Sequence, residues 1–190
     1  DLDERRESET DEGASVHFIA CHLGGRTVKS DLLHHGKGAS AQCDTDLITR
    51  TRGRQSFHFT LKNTYSQKNG MGVITARGVS EDESALGMNG VIKIEQRAGG
   101  TDCTLRQAVL NLSPKTKVKA TPALEIDTND VKAAHSASVT NVNEDDLFYM
   151  ESRGLERTAA RGMLIAGFLK EPLQKLADLP ELQEEIKNLL

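Results

Sequence analysis

The chain has 190 residues, 37% of them hydrophobic, with no Trp and a net charge of -4. That length suffices for one substantial domain with an appendage, whose core must come mainly from Val, Ile, Leu and Ala. The negative charge argues against a general nucleic-acid binder, and no run of about 18 apolar residues is present to cross a membrane.

Residues 1–13, DLDERRESETDEG, hold seven acids and two arginines and offer almost nothing to bury. They read as a flexible, solvated lead-in. No secretory signal is visible, and the first residue is Asp1 rather than Met, which suits processing or trimming. Cys21, Cys43 and Cys103 are odd in number, far apart and without a CxxC pair. That pattern points away from a disulfide framework or a four-cysteine zinc site and towards a reducing cytoplasm.

From residue 14 to 142 the apolar residues come in short alternating bursts. VHFIA at 16–20, DLIT at 46–49, SFHF at 56–59, GVIT at 72–75 and GVIKIE at 90–95 are examples. Val, Ile, Phe and Thr at every second place predict strands. Two series then recur: bursts starting at 85, 102, 117 and 132, and others starting at 90, 107, 122 and 136. Two short strands per roughly 15 residues suit the rungs of a β-solenoid, in which stacking supplies the core. A β-sandwich remains open on periodicity alone. His34 and His35, with Asp31 nearby, read as a solvated turn, with metal ligation as the alternative. The two rings would face opposite sides of an extended strand.

At Asn143 the pattern becomes helical, and residues 143–190 are expected to form a small helical subdomain. Asn143 suits an N-cap with Asp146 three residues later. Leu147, Phe148 and Met150 are placed on the buried side of a first helix, which Gly154 ends. A second helix is expected over 156–170, with Pro172 and Pro180 near the starts of further short ones. Leu155, Met163, Leu164, Phe168 and Leu169 supply the apolar series of this end. No phosphate loop and no G-x-S-x-G elbow occur, because GKGAS at 36–40 lacks the required spacing.

PALEI at 122–126, DVKAAH at 130–135, NEDDLFYMESRGL at 143–155 and the Gly167-Phe168 ending together resemble the SufB/SufD family of iron–sulfur assembly proteins. The resemblance is closer to SufD-like than to SufB-like members. It implies an all-β core, a right-handed parallel β-helix over 14–142, followed by the helical subdomain. It further implies a non-catalytic scaffold or scaffold partner that pairs, as homodimer or heterodimer, with a SufB/SufD-like chain near residues 122–142. A SufC-like ABC ATPase would be met within 143–170 and would bind the nucleotide, leaving none to this chain. Phe148, Tyr149, Arg153 and Phe168 are the candidate partner residues, each with helix packing or capping as the simpler alternative. Nucleic acid and membrane are not among the implied partners.

The cluster chemistry departs from the family. KAAHSAS keeps His135, but Ala133 stands where SufD-like chains carry a cysteine, and Ser136 where SufB-like chains carry a glutamate. Gln107 falls near the upstream SufB cysteine. His135 and Cys103 are therefore the candidate ligands for a transient iron or iron–sulfur cluster, since thiolate and imidazole both suit iron; a structural or interface histidine and a buried small hydrophobe are the respective alternatives. Two such groups do not complete a four-ligand site, so a second chain would have to contribute. A metal-free structural adaptor in the same type of complex is the alternative. A β-helix polysaccharide-processing enzyme would need convergent carboxylates that the sequence does not reveal.

Overall fold

The computed structural model describes residues 1–177 and 179–189. Ten strands run in order: β1 Leu2–Thr10, β2 Ser15–His22, β3 Thr27–Gly36, β4 Gln42–Thr51, β5 Ser56–Tyr65, β6 Met71–Ser80, β7 Ala85–Ile94, β8 Thr101–Asn111, β9 Lys117–Ile126 and β10 Val131–Asn141. Odd-numbered strands make one sheet, β1-β3-β5-β7-β9, and even-numbered strands the other, β10-β8-β6-β4-β2. Every pairing is parallel. The fold is a parallel β-solenoid of five turns, each turn contributing one strand to each sheet. Three helices follow: α1 Glu144–Ser152, α2 Arg157–Gln174 and α3 Pro180–Leu189.

The rung length differs from the sequence reading. The register advances 29 residues from Val28 to Phe57 and 29 more to Leu86. Each pair of bursts is one strand, broken in appearance at Gly90, Gln107, Pro122 or Ser136, which all lie within strands. A rung thus takes two 15-residue units.

The inward column follows the alternation. Phe57, Phe59, Leu61 and Tyr65 of β5 and Leu86, Met88, Ile92 and Ile94 of β7 face Leu47, Ile74 and Leu105, all at most 1% exposed. Stacking of like on like buries these chains without any helix. Gly72 is required for the spacing, because a Cβ there would lie 2.0 Å from the Cys43 carbonyl oxygen and 2.3 Å from Tyr65 Oη. The turns stack as well: Ser40 donates its N–H to Lys68 O, Asn69 to Gly99 O and Gly100 to Asp130 O.

Two expectations are corrected. Residues 1–13 are not a loose lead-in, because Leu2–Thr10 is the first strand and pairs with β3 over its whole length. Its backbone needs only a neighbouring strand, and its charges find partners in Arg26, Lys29 and Lys37. His34 and His35 lie in β3 rather than a turn. His34 is buried and bonded to Ser8 Oγ at 2.8 Å and Thr10 Oγ1 at 3.1 Å, while His35 faces outward to Ser66 Oγ.

Candidate functional site

The last rung is where the solenoid stops with its interior still apolar. Register carries the inward column onto Val118, Ala120, Pro122, Leu124 and Ile126 of β9. It also carries Val131, Ala133, His135, Ala137 and Val139 of β10. Nine of these ten are apolar, and His135 is the exception. In earlier rungs the same column is sealed by the next turn. Here β9 and β10 end their sheets, so Ile126 and Val139 are exposed and Leu124, Val131 and Ala133 only partly covered. Among the described residues nothing pairs with the free edges of these strands.

His135 is exposed and stands over Leu105. Cys103 stands under Ala133, the place where the resemblance expects a thiol. The two candidate ligands are therefore diagonal neighbours on adjacent strands, roughly 8 Å apart at Cα by strand spacing. They differ in access. Cys103 is 2% exposed, and burial, with the nearby Asp102 carboxylate, pushes its thiol up to about 11. Such a sulfur is a protonated core atom at neutral pH rather than a ready ligand. Cys43 is fully buried and Cys21 half-buried, and burial pushes each up to about 12. Among the described residues, no three His, Cys, Asp or Glu side chains come together to hold a metal ion.

One polar group beneath this end was given no role by sequence. Gln107 is buried under Ala137, its Nε2 donates to Met88 O at 3.3 Å, and its Oε1 has no partner. The available signal was an amide in the otherwise apolar alternation Cys103, Leu105, Gln107, Val109.

The helical end starts beside the open rung. Asn143 Oδ1 accepts the Asp146 N–H at 2.7 Å and Asp146 Oδ2 accepts the Asn143 N–H at 3.2 Å, the reciprocal capping box expected. Gly154 ends this segment at φ +90°, a left-handed value suited to glycine. Of the three residues assigned to the buried side of α1, only Leu147 is buried. Phe148 is 68% exposed and Tyr149 62%, because neither lies on the stripe that Leu147 buries. Arg153 sits over the Tyr149 ring at 5.9 Å and donates to its Oη. Phe168 is half-buried under Arg77.

Pro172 is not a helix start but lies inside α2, whereas Pro180 does open α3. No helix among the described residues is long and apolar enough to cross a membrane.

The class these features define is an open-ended parallel β-solenoid followed by three helices among the described residues. The comparisons give the family. Residues 4–168 match the family described as SUF system FeS cluster assembly, SufBD core domain, and the chain belongs to it. It is 36% identical over 133 residues to the iron–sulfur cluster assembly protein SufD of Bacillus subtilis, covering 70% of this chain and 30% of that protein. It is 32% identical over 100 residues to SufD of Escherichia coli, covering 53% and 24% respectively. A SufBD family protein of Synechocystis is 29% identical over 129 residues, 68% of this chain and 27% of its own. The likeness is thus to the SufD-like branch, and the chain spans less than a third of each of these relatives. The family description names a role in cluster assembly.

Proposed function

We propose that this chain is a scaffold component of iron–sulfur cluster assembly that works by being completed at its last rung. The carrying observation is the uncovered apolar column of β9 and β10 with a single exposed imidazole, His135, in it. A SufB/SufD-like chain, a second copy or a paralogue, would extend the stack, bury that column and bring ligands to His135. The exposed Phe148 and Tyr149 with Arg153 supply an aromatic and cationic surface for a SufC-like ABC ATPase. That partner would hydrolyse the nucleotide. Large exposed aromatics and arginine are the residue types that carry interface energy. The solenoid, β1 to β10, and the three helices would then divide the work into pairing and ATPase contact, in a cytoplasmic complex.

A second reading has its own observation. The only thiol near His135 is buried and protonated, and Ala133 and Ser136 carry no donor suited to iron. A metal-free adaptor would need none. Anaerobic reconstitution with iron and sulfide, alone and with a SufB-like chain and the ATPase, separates the two. Iron retained by the complex and reduced by His135→Ala supports cluster handling. A complex that assembles normally and holds no iron in any of these pairings supports the adaptor.

A further inference from the structure

Helix α2 and its continuation α3 run back across the outer face of the even-numbered sheet, from the last rung to the first. Arg161 of α2 donates to Leu112 O at 3.2 Å, Arg77 of β6 to Phe168 O at 3.0 Å, and Lys175 to Asp46 Oδ1 of β4 at 2.7 Å. Beyond these, Leu182, Ile186 and Leu189 of α3 meet Cys21 and Leu23 of the first rung around a groove of about 340 Å³.

Two of these anchors follow from unusual chemistry. Pro172 has no N–H, so the Phe168 carbonyl four residues earlier has no donor within the helix. Arg77 supplies one, lies 5.2 Å over the Phe168 ring and pairs with Glu171. One turn later stands Asp46, a carboxylate only 1% exposed. Its Oδ2 meets His17 Nε2 at 2.7 Å from the first strand pair, and its Oδ1 takes Lys175. A buried carboxylate is tolerated only while cations face it, and removing one leaves a costly charge.

The far end of this run is lightly seated. Ile186 is the buried residue of α3, while Leu182 and Leu189 remain exposed. We infer that residues 173–177 with α3 form a releasable strap, latched by Lys175 on Asp46 and pivoting after Pro172, where Arg77 holds the preceding turn. Release bares Ile19, Cys21, Leu23 and Ile48 on the outer face of the solenoid while its interior stays closed. The device belongs to the chain alone and does not depend on which partner binds α1.

The three cysteines report on it directly. Cys21 lies under α3, whereas Cys43 and Cys103 are sealed inside the solenoid. Native full-length protein is labelled with a small maleimide and each thiol is followed by peptide mass spectrometry. Lys175→Met should raise the Cys21 rate at least about tenfold and leave Cys43 and Cys103 at the wild-type rate. In wild type through a urea ramp, Cys21 should react below the unfolding transition and the other two only within it. An unchanged Cys21 rate in Lys175→Met, or three wild-type thiols becoming reactive at the same urea concentration, overturns the strap.

Discussion

His34 makes the solenoid acid-sensitive above the carboxylate range. Its ring is buried between Ser8 and Thr10 hydroxyls, and burial, aided by the adjacent His35, pulls its pKa down to about 4. Both hydroxyls can accept as readily as donate, so protonation breaks neither hydrogen bond; the cost is a charge taken out of water. An unfolded histidine titrates near 6.5, so between pH 6.5 and 4 the unfolded chain holds the extra proton. The contribution is whole above 6.5 and is lost as pH falls towards 4. With these two values the loss from pH 7 to pH 5 is about 2 kcal/mol. Urea denaturation at pH 5, 6 and 7 measures it, comparing wild type with His34→Gln. Wild type should lose about 2 kcal/mol more than the variant over that range. His22, whose pKa burial also lowers, is common to both proteins and cancels. Parallel pH profiles would refute the reasoning, since His34 would then be shown to titrate alike in both states.

Four substitutions probe the frame more directly. Gly72→Ala drives a methyl into the Cys43 carbonyl and the Tyr65 hydroxyl, and should cost at least about 3 kcal/mol in urea unfolding or prevent folding. Arg77→Met should cost about 1–2 kcal/mol by orphaning the Phe168 carbonyl. Pro172→Ala returns an N–H to that carbonyl, so in its background the Arg77→Met cost should fall by about half, a coupling that a double-mutant cycle reads. Asn143→Ala removes the capping box and should destabilise α1 by about 1 kcal/mol, with faster amide exchange over 144–152 and none of it in β5 or β7.

Local chemistry made much of this fold legible. The alternation of Phe57 and Phe59 against Ser56 and His58 exposes the two faces of a strand, and Asn143 with Asp146 marks a helix start. Where the reading failed, a neighbour in space outweighed the chain. Gly90 and Pro122 look like breaks, yet they are register partners on adjacent strands. Pro122 is tolerated because β9 is the last strand of its sheet, where proline is permitted. The charged β1 looks disordered because its hydrogen-bond partners lie 26 residues away in β3. Pro172 reads as a boundary because Arg77, which satisfies the carbonyl it strands, comes from another rung.

The candidate residues come by a different route. His135 was found through its motif, and the structure leaves it exposed on the open column. For Cys103 the sequence leaves iron ligand and buried small hydrophobe open, and the fold buries it. Burial is a property of the stack above and below a residue, and no window of sequence around Cys103 contains that stack.

Whether β9 and β10 are a surface for another chain is most directly read by sedimentation, alone and mixed with a SufB-like chain, for wild type and Ala133→Asp. The substitution places a charge on the uncovered column at a residue that stacks on Cys103, and circular dichroism verifies that the earlier rungs keep their fold. An open rung that awaits a neighbour predicts a paired wild type in at least one of the two conditions and an unpaired variant in both. Wild type unpaired in both, or Ala133→Asp pairing as well as wild type, would contradict it.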